Sequence, residues 1–167
     1  MPSDAELLTE VYRDAARNLG LQGYTLEQTR VWAMHPENLE EFRATLSEGL
    51  TICAVVDDSP VAFGQLHPSD HIAYLYCRSV HARNGHASAI LANLEEQARL
   101  NQVSLLRVEA SCVARTFFER HGYRVVEEER PVRHGVEFLR FKMQKTLANM
   151  PSHCTAESRA AASSSGR

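Results

Sequence analysis

The chain has 167 residues, 44% of them hydrophobic and 23% charged, with a formal net charge of −3. That length and composition fit one globular domain, and the slight acidity excludes a nucleic-acid binder that works through a basic surface. No apolar run is long enough to span a membrane, and the start MPSDAELLTEVY carries neither a basic nor an apolar leader segment, so a cytoplasmic protein is expected.

The elements follow in chain order. Residues 4–18 place Leu7, Leu8, Val11 and Ala15 at helical spacing, continued by Leu19, with Ser3 as a candidate cap. Gly20 and Gly23 interrupt the pattern, and Thr25 followed by Gln28 is a capping-box pair opening a second helix to about Met34, before Pro36. Asn38 to Glu48 reads as a third helix, closed by Gly49.

The period then changes. TICAVVD (51–57) and VAFGQLH (61–67) are strands across the turn Asp58-Ser59-Pro60, and HIAYLYCRSV (71–80) is a third. A helix over 86–100 would bury Ala87, Ile90, Leu91, Leu94 and Ala98 and leave Glu95, Glu96 and Arg99 outside. VSLLRVEA (103–110) is a fourth strand, parallel to the third because a helix separates them. A short helix over 113–120 ends at Gly122, and 123–132 pairs with 136–145 across Arg133-His134-Gly135. From 147 to 167 the chain is Ala/Ser-rich without apolar periodicity, which predicts a disordered tail after a domain over 1–146. The expected fold is a single-domain three-layer α/β/α sandwich around a mixed, mostly antiparallel sheet.

The cysteines Cys53, Cys77, Cys112 and Cys154 lack metal-knuckle spacing, and no HExxH pair is present, so no metal is expected and the thiols read as reduced and buried.

The stretch HARNGHASAIL (81–91) joins a strand to a helix through a glycine. One reading is a plain turn. The other is a phosphate cradle, because the first N–H groups of a helix lack internal partners and carry partial positive charge. Neither a P-loop nor a Rossmann fingerprint is present.

The blocks around this loop carry a family resemblance. Ala82-Arg83-Asn84-Gly85-His86-Ala87 resembles the phosphate loop [QR]-x-x-G-x-[GA] of the GNAT superfamily of acyl-CoA-dependent N-acetyltransferases, and FFERHGY resembles that family's [FL]-[YF]-x-x-x-G-[FY] signature. The resemblance runs from about residue 4 to 145, and YTLEQTRVWA resembles an uncharacterised bacterial branch with Tyr-x-x-Glu-Gln and Trp-Ala. Three departures stand out. Ala82 replaces a polar residue, Phe118 replaces a Tyr that protonates the leaving thiolate, and the family's first strand has no counterpart, which predicts an exposed sheet edge or a shortened start.

The resemblance implies acetyl-CoA as acyl donor. Its pantetheine arm would lie along the backbone of Leu75, Tyr76 and Cys77, and its diphosphate on Arg83, Asn84, Gly85, His86, Ala87 and Ser88. An amine of a small molecule or peptide would attack the thioester directly in a ternary complex. A base is then needed, and His71, Glu109 and Asp70 are candidates beside alternative readings as turn or ion-pair residues. For the acid, Tyr76 and Tyr123 are the nearest hydroxyls, and neither is assigned.

Tyr24, Gln28 and Trp32 share one helix face and would wall the acceptor cleft, where an aromatic face can hold a cation; packing on the sheet is the competing reading. Residues 1–60 carry 11 acidic and 4 basic side chains, the rest 10 and 14, a bias that suits a cationic acceptor on one side and CoA phosphates on the other. A homodimer stays open. The alternative function is an acyl-CoA-binding sensor or partner module with little turnover, and a third reading is an α/β domain with an empty loop.

Overall fold

In the computed structural model, which describes residues 2–148, the N-terminal third is a helical arm laid over one face of a sheet. Helix α1 (Pro2–Asp14) buries Leu8, Val11 and Tyr12, then runs on through a π-turn over Ala15–Leu19 and a 3₁₀ turn over Gly20–Gln22. Gly20 permits this close turn: a Cβ there would stand 2.9 Å from Thr29 Cγ2. Helix α2 (Leu26–Trp32) opens with the predicted capping box, Thr25 Oγ1 accepting from Gln28 N and Gln28 Oε1 from Thr25 N. It ends two residues before the expected boundary. Helix α3 (Leu39–Ser47) is capped by Asn38, whose side chain accepts from Glu40 and Glu41 N–H.

Strands β1 (Leu50–Val56), β2 (Ser59–Leu66) and β3 (His71–Cys77) form an antiparallel meander. The first turn sits at Asp57-Asp58 rather than the predicted 58–60. Both aspartates take positive φ, the geometry that two-residue hairpins require, and Pro60 falls instead within β2 beside a bulge. Helix α4 (His86–Leu100) crosses to β4 (Leu105–Ser111), and α5 (Arg115–Arg120) leads to β5 (Arg124–Glu129) and, after a small hairpin, to β8 (Arg140–Thr146). The sheet order is β1-β2-β3-β4-β8-β5. β1 forms one edge, as the absent first strand predicted.

One core lies on each face. Leu8, Val11, Tyr12 and Phe42 of the helical arm pack on Phe63, Tyr74 and Tyr76. On the other face Ile90, Leu91, Leu94 and Ala98 of α4 meet Ala62, Leu66, Leu106 and Val108, each leucine contributing roughly 2 kcal/mol by burial. Gly64 sets how closely α4 approaches, since a Cβ there would lie 2.7 Å from Ile90 Cγ2.

Several expectations are corrected. Glu95, predicted outside, is 6% exposed: its carboxylate takes Lys145 Nζ at 2.9 Å and the Tyr123 hydroxyl at 3.1 Å, so a charge is satisfied inside. Leu147, assigned to the tail, is 3% exposed and its N–H bonds to Ser104 O; the rest of the tail lies outside the described residues, apart from Ala148. Cys53 is exposed, on the edge strand, while Cys77 and Cys112 are half-buried and all three are free thiols; Cys154 lies outside the described residues. The long C-terminal hairpin is interrupted. Pro131 has no N–H for a ladder, and residues 132–137 form a separate hairpin, β6 (Val132–Arg133) with β7 (Val136–Glu137).

Candidate active site

β3 and β4 pair through only two rungs, His71 with Arg107 and Ile72 with Val108. Asp70 closes this end: Arg107 N–H donates to its backbone oxygen at 2.9 Å and the guanidinium to its carboxylate at 2.9 Å. Asp70, weighed as a base, is thereby tied to the strand pairing. Past the second rung β3 stays with β2 and β4 with β8, so the strands part and residues 73–77 of β3 have no strand on that side.

Just beyond the last rung, His71 Nε2 meets Glu109 Oε2 at 2.5 Å. His71 Nδ1 lies 3.1 Å from the His67 carbonyl, which can only accept, so Nδ1 carries a proton. The hydrogen bond from Glu109 raises the His71 pKa above 6.5, against the opposing pull of burial, and the same bond holds Glu109 below 4.5. Both shifts have one cause: the contact favours a proton on the imidazole beside an ionised carboxylate. The two candidates are one unit, although 38 residues separate them in sequence.

A cavity of about 290 Å³ opens over this pair on the helical-arm side. Tyr12, Trp32, Tyr74 and Tyr76 supply aromatic walls, with Tyr12 and Tyr76 ring centroids 4.4 Å apart. Burial raises the phenol pKa of Tyr76 despite hydrogen bonds from Tyr12 and Trp32, so its hydroxyl stays protonated. Tyr24 and Trp32 line the cavity. Tyr24 is also a tie: its hydroxyl donates to Leu139 O at 2.6 Å and accepts from Cys112 N at 3.1 Å. Gln28 lies outside the lining. Its amide oxygen completes the capping box and its nitrogen donates to Glu137 O at 2.8 Å, strapping β7 to α2.

Other lining residues were not singled out from sequence: His35, Gln65, Arg133 and Arg140. Arg133 sits in a stretch that reads as a turn. The one signal was Pro131, which interrupts a strand and so marks a separate small hairpin. Gln65 is fully buried on β2. Its amide nitrogen donates to Thr45 O at 2.6 Å and Glu48 O at 2.7 Å, which fixes the flip and leaves Oε1 without a partner among the described residues.

At the open end of the parted strands, β3 leads through a 3₁₀ turn (Ser79–His81) into the loop before α4. Asp14 accepts from Ser79 N–H at 2.5 Å and pins this turn. Arg83 and Gly85 take positive φ, at +64° and +83°, and Gly85 is the N-cap of α4. The first helical bond runs from Ala89 N to Gly85 O, and no side chain caps the helix. The N–H groups of His86, Ala87 and Ser88 thus start the helix with no internal acceptor. A Cβ built on Gly85 meets nothing within 4 Å, so the space beside Gly85 at the head of the helix is open. Arg83 and Asn84 are exposed beside them. Ser88 is held by His121, whose Nδ1 faces the Phe117 carbonyl at 2.8 Å and whose Nε2 lies 3.1 Å from Ser88 Oγ.

The two sides of β3 divide the work. Tyr76 faces the cavity, while Leu75 and Cys77 pack with the α4 core. Phe118 is 2% exposed against Tyr123, and the Tyr123 phenol is raised by burial and bonded to Glu95. Neither reaches the cavity.

Residues 20–147 match the family described as the acetyltransferase (GNAT) domain. The chain is 29% identical over 144 residues to an uncharacterized N-acetyltransferase, YafP, of Escherichia coli (strain K12), covering 86% of this chain and 90% of that one. Among solved structures it is similar to a GCN5-related N-acetyltransferase from Rhodopseudomonas palustris, with a TM-score of 0.84, 28% identity and coverage of 88% and 92% of the two chains. It shares its fold with PaiA N-acetyltransferase from Thermoplasma acidophilum, solved in complex with coenzyme A, at a TM-score of 0.66, 19% identity and coverage of 87% and 94%.

Proposed function

This chain belongs to the GNAT acetyltransferase family, and on that premise we propose that it transfers an acetyl group from acetyl-CoA to an amine of a small molecule or peptide, by direct attack in a ternary complex. One observation carries the reading: the gap between β3 and β4 has the His71–Glu109 pair at its closed end and the uncapped start of α4 at its open end.

The residues present fit acetyl-CoA. Unpartnered amides of His86, Ala87 and Ser88, with open space over Gly85, suit a diphosphate, and Arg83 adds charge beside them. Ala82, where the family has a polar residue, adds no side-chain donor. The free side of β3 from Ala73 to Cys77 suits an extended amide-bearing arm, and coenzyme A in the Thermoplasma relative supports that use. When bound, the thioester supplies an activated acyl carbon.

The chain's residues then have two tasks. An alkyl ammonium must lose a proton, and the His71–Glu109 pair lines the cavity where that amine would stand. Once its shared proton is released, the pair takes up the amine's proton between His71 Nε2 and Glu109, directly or through one water, while Nδ1 keeps its own proton on the His67 carbonyl. The Tyr76 hydroxyl, kept protonated by burial, faces the same space as a hydrogen-bond donor.

The test is thiol release from acetyl-CoA across a panel of amines, beside a thermal shift with acetyl-CoA. A shift with amine-dependent thiol release supports transfer. Phe118, buried where many relatives carry a tyrosine, favours a second reading as an acyl-CoA-binding module. That reading predicts the shift without thiol release.

A further inference from the structure

The charges that face the cavity are not those that the composition suggests. None of the acidic side chains of residues 1–60 lines it; the lining carboxylate is Glu109, already bonded to His71. Facing it are two guanidinium groups. Arg140 is paired with Glu129 at 2.7 Å. Arg133 has no hydrogen bond or ion pair to a carboxylate among the described residues, and its charge is felt by Tyr12, His35, Tyr74 and Tyr76. Glu37, which lines a neighbouring pocket with Arg133, is bonded to His134 at 2.6 Å.

The hairpin that carries Arg133 is fastened. Gln28 holds Glu137 O, Arg130 pairs with Glu137 at 3.1 Å, and Phe138 N–H donates to Pro131 O. The guanidinium is therefore presented at the cavity by an anchored backbone. A simple ammonium entering here meets a guanidinium to which no carboxylate is bonded among the described residues. A molecule with an anionic end can pair with it.

From this we infer that the acceptor is an aminocarboxylate of amino-acid size, its carboxylate at Arg133 and its amine at the Glu109 end of the cavity. The inference rests on the acetyl-transfer reading above and names its substrate class. A volume of about 290 Å³ suits a small molecule with an apolar or aromatic body against Tyr12, Trp32, Tyr74 and Tyr76. A planar guanidinium grips a carboxylate by two parallel hydrogen bonds. The unpartnered Oε1 of Gln65, buried in the same wall, is an acceptor for an N–H of the bound molecule.

The experiment uses matched series. L-Phenylalanine, L-phenylalaninamide and phenethylamine form one; leucine and alanine with their amides and decarboxylated amines form the others. Thiol release with acetyl-CoA gives kcat/KM, and ligand-observed NMR with CoA present gives affinity without turnover. In the best-used series the free acid should exceed both relatives that lack the carboxylate by about 10-fold or more. Arg133→Gln should bring that ratio to within about twofold, Arg133→Lys should keep part of it, and Arg124→Gln, which removes an equal charge from exposed β5 outside the cavity and its hairpin, should keep all of it. Equal use of acid and amide in every series, or an unchanged ratio in Arg133→Gln, overturns the inference. If no amine is acetylated although acetyl-CoA binds, the transfer reading fails. The NMR preference still decides the carboxylate site: an Arg133-dependent preference for the acid supports it, and none overturns it.

Discussion

His71 and Glu109 are joined at 2.5 Å across the point where β3 and β4 cease to pair. Each perturbs the other's proton affinity, and the direction of each shift fixes what the pair does as pH changes.

If His71 accepts the proton, its neutral form is the active one. Because Glu109 raises its pKa, kcat should climb with pH through a value above 6.5. Glu109→Gln removes that influence, and burial, opposed only by the His67 carbonyl, then moves the same limb to lower pH. His71→Asn should lower kcat by about 100-fold with the acetyl-CoA KM within about twofold. Profiles of kcat between pH 5.5 and 9 check all three; a limb that stays put in Glu109→Gln rules the pair out as base.

The same shifts enter stability. His71 binds its proton more tightly folded than unfolded, so its contribution is full below 6.5 and is lost as pH rises through the raised pKa. Glu109 behaves oppositely: its contribution is present above 4.5 and is lost as pH falls through the lowered pKa. Their joint effect is largest between 4.5 and 6.5. The deficit of His71→Asn, about 1–2 kcal/mol there, should shrink toward pH 9. Urea unfolding at pH 5.5 and pH 9 measures it, and a deficit that grows with pH contradicts the assignment.

Gly85 separates charge from strain. Both Gly85→Ala and Gly85→Glu must adopt φ near +83°, at a cost of roughly 1 kcal/mol. Only glutamate sets a carboxylate against the amides of α4. Acetyl-CoA affinity, read by calorimetry, should fall at least 10 times further in Gly85→Glu than in Gly85→Ala. Equal losses remove the helix start from the cofactor site.

Tyr24→Phe deletes one oxygen, leaves Cys112 N–H without its partner and leaves Leu139 O with only the Cys112 thiol at 3.3 Å. A loss of about 1–3 kcal/mol is expected, visible as a Tm lower by a few degrees. A neutral result in calorimetry means that water replaces the phenol.

Local signals carried much of the fold. The capping box at Thr25 and Gln28, the turn at Pro68 to Asp70 and the apolar face of α4 each act within a few residues and are found in their expected place, while the first hairpin turn is displaced to Asp57-Asp58. What failed was long-range. Glu95 is polar by any local rule, yet Lys145, 50 residues away, meets it inside. The hydrogen bond from His71 to Glu109 crosses 38 residues and a strand crossover. Both residues were visible as candidates; their union was not. Arg133 was hidden for the opposite reason: a polar residue at a turn looks solvated until the turn is seen fastened to α2.

The parting of the sheet reaches beyond the site. Residues 50–77 complete one antiparallel half among themselves, and residues 105–146 complete the other, so nearly all interstrand bonds close within one stretch of chain or the other. Two rungs, the Asp70–Arg107 tie and the packing of α4 are the seam between them. Amide exchange should therefore divide at that line, with each half protected as its own block and the seam amide of Arg107, which donates to Asp70 O, opening before either.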